Sequence, residues 1–139
     1  MARVAEDLRR HARDRAQGIC EYCQTQEVIV INMHIDHIVS LSAGGKTEPD
    51  NLCLSCISCN GAKNRFQMAF DPVSQLEVPL FNPRSQIWSE HFAWNEDDTL
   101  VLGLTEIGRA TLSRLRMNRD IVVRSRRRWV EAGLHPSKT

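Results

Sequence analysis

Long apolar stretches are missing from this sequence: no run approaches the roughly 20 residues that a bilayer-spanning helix needs, so no membrane partner is expected. The opening residues, Met1-Ala2-Arg3-Val4-Ala5-Glu6-Asp7, lack the apolar stretch of a secretory signal, and a cytoplasmic location is expected. There is no internal repeat and no low-complexity segment. A surplus of charge of either sign is lacking too, since 18 Lys and Arg stand against 17 Asp and Glu. What remains is an ordinary soluble composition, 42% hydrophobic and 25% charged, and a length that suits one domain over residues 1–139. Folding at this size buries about two-thirds of the extended surface, enough for one modest core.

The near-neutral total hides an uneven distribution. Residues 1–65 carry eight basic and eight acidic groups, residues 66–108 one and seven, and residues 109–139 nine and two. The basic last third can face a phosphate backbone, and Arg124, Arg126, Arg127 and Arg128 are its candidate nucleic-acid contacts, with the N-terminal Arg3, Arg9, Arg10 and Arg13 in support.

The fold class expected is α+β. Val4, Leu8 and Ala12 recur on one face of a helix over residues 3–17 that Gly18 stops. The β-branched run Val28-Ile29-Val30-Ile31 predicts a strand over residues 27–33 that leads into His34-Ile35-Asp36-His37, and Leu52-Cys53-Leu54 can pair back as a second. A helix is expected over residues 57–68. Pro72, Pro79 and Pro83 then interrupt any long helix, which leaves a loop or short hairpin through about residue 102. Thr105 is placed to cap a helix over residues 106–117. Asp120 is placed to cap another over residues 121–132, ending at Gly133. That last helix would bury Val122, Trp129 and Ala132 and present Arg124, Arg127 and Arg128.

In a reducing compartment, paired CxxC motifs read as metal or redox sites rather than disulfides. Two are present, Cys20-x-x-Cys23 and Cys56-x-x-Cys59. Four thiolates complete a tetrahedral shell with no open position, so a structural Zn²⁺ held by Cys20, Cys23, Cys56 and Cys59 is expected. A thioredoxin-like dithiol would explain one pair but not two. Cys53 is expected to be a small buried side chain, although its place three residues before Cys56 leaves it as an alternative for one ligand.

Between and just after these pairs stand His34-Ile-Asp36-His37-Ile-Val-Ser40, Gly44-Gly45, Asp50-Asn51-Leu52 and Cys59-Asn60-Gly-Ala-Lys63. This order resembles the HNH endonuclease family, over roughly residues 18–65. Farther on, Pro79-Leu-Phe-Asn-Pro83-Arg84, Trp88-Ser-Glu-His91-Phe92 and the segment from Gly103 to Thr111 are similar to the tail of small bacterial members. The resemblance implies a ββα-metal core at about 18–70, stapled by a four-cysteine zinc site, with a helical N-terminal extension and a C-terminal extension at about 71–139.

It also implies a reaction, hydrolysis of DNA phosphodiester bonds to 5′-phosphate and 3′-hydroxyl ends. His37 takes the part of general base, because a neutral imidazole accepts a proton from water at physiological pH. Asp36 and Asn60 supply hard oxygen ligands for a catalytic Mg²⁺ or Mn²⁺. Asn51 matches the family's middle Asn, which braces the loop and orients the histidine. Lys63, one turn beyond Asn60, is expected to face the phosphate as a point charge. Asn64 is a weaker second ligand candidate, His34 a candidate for substrate or metal contact, and Arg84, Trp88 and His91 candidates for shaping the substrate groove, although Trp88 and Trp94 read better as core residues. The sequence departs from the commonest pattern at Asn60, where His is frequent, and at Ser40, where Pro is common. Two rival readings keep the same frame: a non-catalytic zinc module that binds nucleic acid or protein, and a nuclease for structured or single-stranded nucleic acid, including RNA.

Overall fold

A computed structural model describes residues 4–31 and 33–137. Arg3, at the start of the expected first helix, and Asn32, within the expected strand 27–33, lie outside the described residues. Helix α1 runs Glu6–Ala16, with Glu6 and Asp7 in its first turn and Arg13 and Arg15 in its last, the order that suits the helix dipole. Gln17 takes a left-handed conformation at its end, and Gly18 follows at φ +68. Val4 and Ala12 bury against Leu52, with Leu8 beside them. The expected face is the one that packs.

Among the described residues of 27–33 no strand forms. Val28 and Ile31 are 76% and 69% exposed, and the amides of Ile29 and Val30 both donate to the Gln26 carbonyl, closing a turn. Branched residues favour a strand only where an edge is free to pair with them. Among the described residues the one bridge nearby, Ile19 with Gln26, precedes the run.

The first strand is instead β1, His34–His37, antiparallel to β2, Leu52–Ser55, with Asp36 opposite Cys53 and His37 opposite Leu52. Every residue of β2 is buried, because α1 packs on one side while Cys53 and Leu54 join the main core. Helix α2, Ile57–Lys63, follows at once, and Cys56 caps it by accepting from the Cys59 amide through its sulfur. It is shorter than the expected 57–68 because Asn64 adopts φ 51 and ψ −126, a conformation that ends the helix.

The stretch expected to hold a loop or short hairpin contains two hairpins. Strands β3, Met68–Phe70, and β4, Glu77–Pro79, form the first. A single turn, α3, Trp88–His91, leads into β5, Phe92–Trp94, which pairs with β6, Val101–Gly103. Helix α4, Glu106–Arg114, begins as expected at Thr105, whose hydroxyl accepts from the Gly108 amide at 3.0 Å. Helix α5, Asp120–Glu131, starts one residue early, so Asp120 lies inside the first turn and offers its charge to the helix end rather than a cap. Ala132 is exposed, and Val122 and Trp129 are half-buried. The main core joins Tyr22, Leu54, Phe81, Phe92, Leu115 and Met117, with Trp88 stacked on Phe92.

One ion pair ties the first hairpin to α4. Asp71 accepts from Arg109 Nε at 3.0 Å and Nη2 at 2.9 Å while also accepting from the Val73 and Ser74 amides. The guanidinium beside it, helped by those amides, holds the Asp71 carboxyl well below the usual carboxylate range. A depressed acid stabilises the fold above its unfolded value near pH 4 and loses that contribution as pH falls toward its native value. Asp71→Asn is therefore expected to lower Tm at neutral pH and to flatten the fall of Tm below about pH 4. Calorimetry across that range checks it, and parallel acid limbs for the two proteins would refute it.

Candidate functional site

The two CxxC turns meet. The first follows α1 directly and the second caps α2, and the four sulfurs of Cys20, Cys23, Cys56 and Cys59 all lie within 4.8 Å of one another. Bonds of about 2.3 Å to a tetrahedral zinc would place sulfurs roughly 3.8 Å apart, and Cys23 and Cys56 approach to 3.6 Å. Backbone amides already point at this centre: Cys56 N donates to the Cys20 sulfur at 3.3 Å, and Cys59 N to the Cys56 sulfur at 3.4 Å. Burial pushes the Cys20 thiol up, and hydrogen bonding with Cys20 and the other two sulfurs raises Cys59. Four sulfurs so placed ionise together only around a cation, and the donor set fits zinc. Cys53 stands apart from the four. It donates to the Tyr22 hydroxyl at 3.6 Å, and burial pushes its thiol up to about 12, which makes it inert.

Within this frame the loop after β1 is clamped by Asn51. Its side-chain oxygen accepts from Val39 N, and its amide nitrogen donates to the carbonyls of Val39 and Lys46, all at 2.9 Å. The fit leaves no room at Gly45, where an added Cβ would lie 1.8 Å from the Val39 carbonyl oxygen and 2.8 Å from the Asn51 amide nitrogen. The clamp brings Thr47 to His37. The Thr47 hydroxyl lies 2.9 Å from His37 Nε2, a partner that sequence reasoning does not single out because no motif position marks it.

Asp36 points the other way, toward Cys53 and Tyr22. Burial pushes its carboxyl up, and Lys63, followed by His37, offsets part of that shift. Lys63 is 2% exposed. Its ammonium lies 3.1 Å from Asp36 Oδ2 and donates to the His37 carbonyl at 3.1 Å. This corrects the expectation that Lys63 faces a phosphate: the α2 face that meets β1 draws it inside, where a strand carbonyl and a carboxylate need a cation. The approach to Asp36 Oδ2 has ion-pair distance without hydrogen-bond alignment, so that buried oxygen has no hydrogen-bond partner.

Asn60 lies three residues before Lys63 and shares its face of α2. It is half-buried, and among the described residues its side-chain amide makes no hydrogen bond. The Asp36 carboxylate, ion-paired to Lys63, and the Asn60 amide are hard oxygen donors on facing elements, the class of donor that a divalent cation takes. Asn64 ends the helix through its backbone, and His34 is exposed at the far end of β1, opposite Ser55.

The tail candidates do structural work. Arg84 pairs with Glu21, the Trp88 indole donates to the Tyr22 carbonyl at 2.7 Å, and His91 Nδ1 lies 2.7 Å from the Thr105 hydroxyl. Arg124, Arg127 and Arg128 are exposed on α5. Arg126 is not: it is fully buried, which overturns its expected role as a nucleic-acid contact. The reason is present in the spacing, since Arg126 lies four residues after Val122 and three before Trp129, on the face already assigned to the interior.

Residues 20–66, about a third of the chain, match the family model of HNH endonucleases, and the four-cysteine cluster fits the zinc-binding type of that family. The match stops short of both hairpins and of the two C-terminal helices. None of the curated proteins and none of the solved structures matches the chain significantly.

Asn51→Ala is expected to free the loop at residues 40–47. Three hydrogen bonds vanish, and stability falls by about 1–3 kcal/mol for the buried groups left unpaired. Amide exchange at Val39, which donates to the Asn51 side chain, is the direct readout, and protection equal to wild type would refute the clamp.

Proposed function

We propose that this chain, whose residues 20–66 form an HNH endonuclease domain, is a metal-dependent endonuclease that hydrolyses DNA phosphodiester bonds. The observation that carries the reading is the buried Asp36 carboxylate on the residue next to His37, whose Oδ2 lies 3.1 Å from the Lys63 ammonium without hydrogen-bond alignment. Asp36 and Asn60 would hold Mg²⁺ or Mn²⁺. Held there, it would supply the positive charge that offsets the charge developing on the reacting phosphate.

The chain's own residues supply the rest. In the tautomer that donates Nε2–H to the Thr47 hydroxyl, His37 keeps the Nδ1 lone pair to take a proton from water. The water oxygen then bonds to phosphorus as the P–O3′ bond breaks, which leaves a 5′-phosphate and, once the leaving oxygen is protonated, a 3′-hydroxyl. Lys63 holds the Asp36 carboxylate and the His37 carbonyl in register, and Asn51 fixes the loop that carries Thr47.

Purified protein incubated with plasmid, linear duplex, single strands or RNA is expected to cut duplex DNA with Mg²⁺ or Mn²⁺ and not with EDTA. Removing the base in His37→Ala is expected to slow cleavage by about 10²–10⁴-fold. Cleavage undiminished in that variant would overturn the mechanism. Binding without cleavage under every metal would replace it with the non-catalytic zinc module, and preferential cutting of single strands or RNA would replace the substrate.

The exposed arginines of α5 form the proposed backbone contact. Replacing Arg124, Arg127 and Arg128 with Gln is expected to weaken binding equally across sequences and to reduce the salt slope by about 0.9 for each phosphate no longer neutralised. Titrations at several salt concentrations check this, and an unchanged slope would remove α5 from the interface.

A further inference from the structure

Arg126 is the largest fully buried side chain among the described residues, and its hydrogen-bond partners do not balance its charge. The guanidinium donates to three neutral oxygens, the Thr99 carbonyl at 2.9 Å, the Asn118 side-chain oxygen at 3.0 Å and the Met117 carbonyl at 2.6 Å. Its Nε has no partner. Among the described residues no carboxylate lies within ion-pair distance of it. An isolated charge so buried is costly unless something of opposite sign shares its low-dielectric surroundings.

The groups that do share them are sulfurs. A cavity of about 80 Å³ is lined by Cys23, Cys56 and Cys59 together with Arg116, Arg119 and Arg126. Arg119 also donates to the Ser58 hydroxyl at 2.9 Å, inside the second CxxC turn. Burial pulls the Arg126 guanidinium below its ordinary value while the charges of Cys23, Cys59 and Cys56 act to raise it. Four thiolates around a zinc dication leave two net negative charges, which are themselves buried. Arg126 also lies 5.2 Å from the Trp94 ring centroid, but among the residues lining that cavity only the sulfurs can carry a charge opposite to that of the guanidinium.

We propose that Arg126 is the internal counter-ion of the tetracysteine metal centre, so that docking of the C-terminal helix and retention of zinc are thermodynamically coupled. The coupling reaches beyond the nuclease reading and does not depend on it. Linkage makes it reciprocal: whatever the metal adds to the docking of α5, docked α5 adds to the retention of the metal.

The test removes the charge and measures zinc. Zinc-loaded wild type, Arg126→Met, Arg126→Lys and Arg127→Met are mixed with a chromogenic chelator, and release is timed. Arg126→Met is expected to release zinc about 10–100-fold faster, the usual effect of losing a group that supports a metal site. Arg126→Lys should fall between it and wild type, and Arg127→Met, an exposed charge one residue away, should retain zinc as wild type does. Equal release from Arg126→Met and wild type would overturn the proposal, as would equal acceleration by Arg127→Met.

A second measurement separates coupling from general destabilisation. Thermal unfolding of wild type and Arg126→Met, each loaded and chelated, is expected to show a larger drop in Tm for the loaded pair, because only there does the guanidinium have its counter-charge. Equal drops in both pairs would overturn the coupling. If the chelated proteins give no transition, the release rates decide.

Discussion

The geometry of the candidate site depends on four sulfurs closing on one point. Cys20 and Cys56 are 36 residues apart, yet the amide of the second donates to the sulfur of the first. Everything that carries chemistry, from His34 to Lys63, either lies inside that closed segment or starts from its second turn. Closing a long loop costs chain entropy that grows only slowly with length, so a single metal centre can fix this whole stretch. The strand pair gains a fixed base, and α2 begins at a capped residue whose sulfur is also a ligand candidate.

Inside the frame, side chains rather than regular structure do the positioning. β1 and β2 are four residues each, too short to hold a register unaided. Asn51 and Lys63 supply what the ladder lacks. One bonds to carbonyls on both sides of the loop, and the other reaches from α2 to the His37 carbonyl and the Asp36 carboxylate. His37 and Asp36 then diverge from adjacent positions, one toward Thr47 and the loop, the other toward the interior. A strand does this by its pleat. Two neighbouring residues thereby present an imidazole to a loop edge and a carboxylate to a drier place.

Much of this is legible in the sequence wherever a residue's role is local. The CxxC spacing, the Val4-Leu8-Ala12 face, the cap at Thr105 and the buried Cys53 each follow from geometry within a few residues, and each is found. The failures are those of partnership. Val28 to Ile31 have every local mark of a strand and no edge to join. Thr47 carries no motif, and its closeness to His37 arises from a loop fold that Asn51 and Gly45 impose together. The two hairpins after residue 66 are blurred in the sequence because prolines announce an interruption without saying what replaces the helix.

Lys63 and Arg126 depart from expectation for a related reason that says something about the molecule. The simplest reading of a basic residue near a nucleic-acid motif turns it toward phosphate. Each of these two is buried instead, Lys63 beside the Asp36 carboxylate and Arg126 on a cavity that the cysteine sulfurs also line. A small chain with a single modest core has few apolar residues with which to join the metal-bearing segment to the rest. Buried cations aimed at that segment can do part of the joining, because attraction between opposite charges strengthens as water is excluded. Such a joint is selective in a way that apolar packing is not: it is strong only when the anionic partner is formed. On this view the C-terminal extension has two electrostatic faces on one helix, three exposed arginines toward solvent and one buried arginine that shares a cavity with the sulfurs. The inward charge sets whether the outward ones are held in place, so the metal centre would govern the proposed DNA-contact surface without touching it.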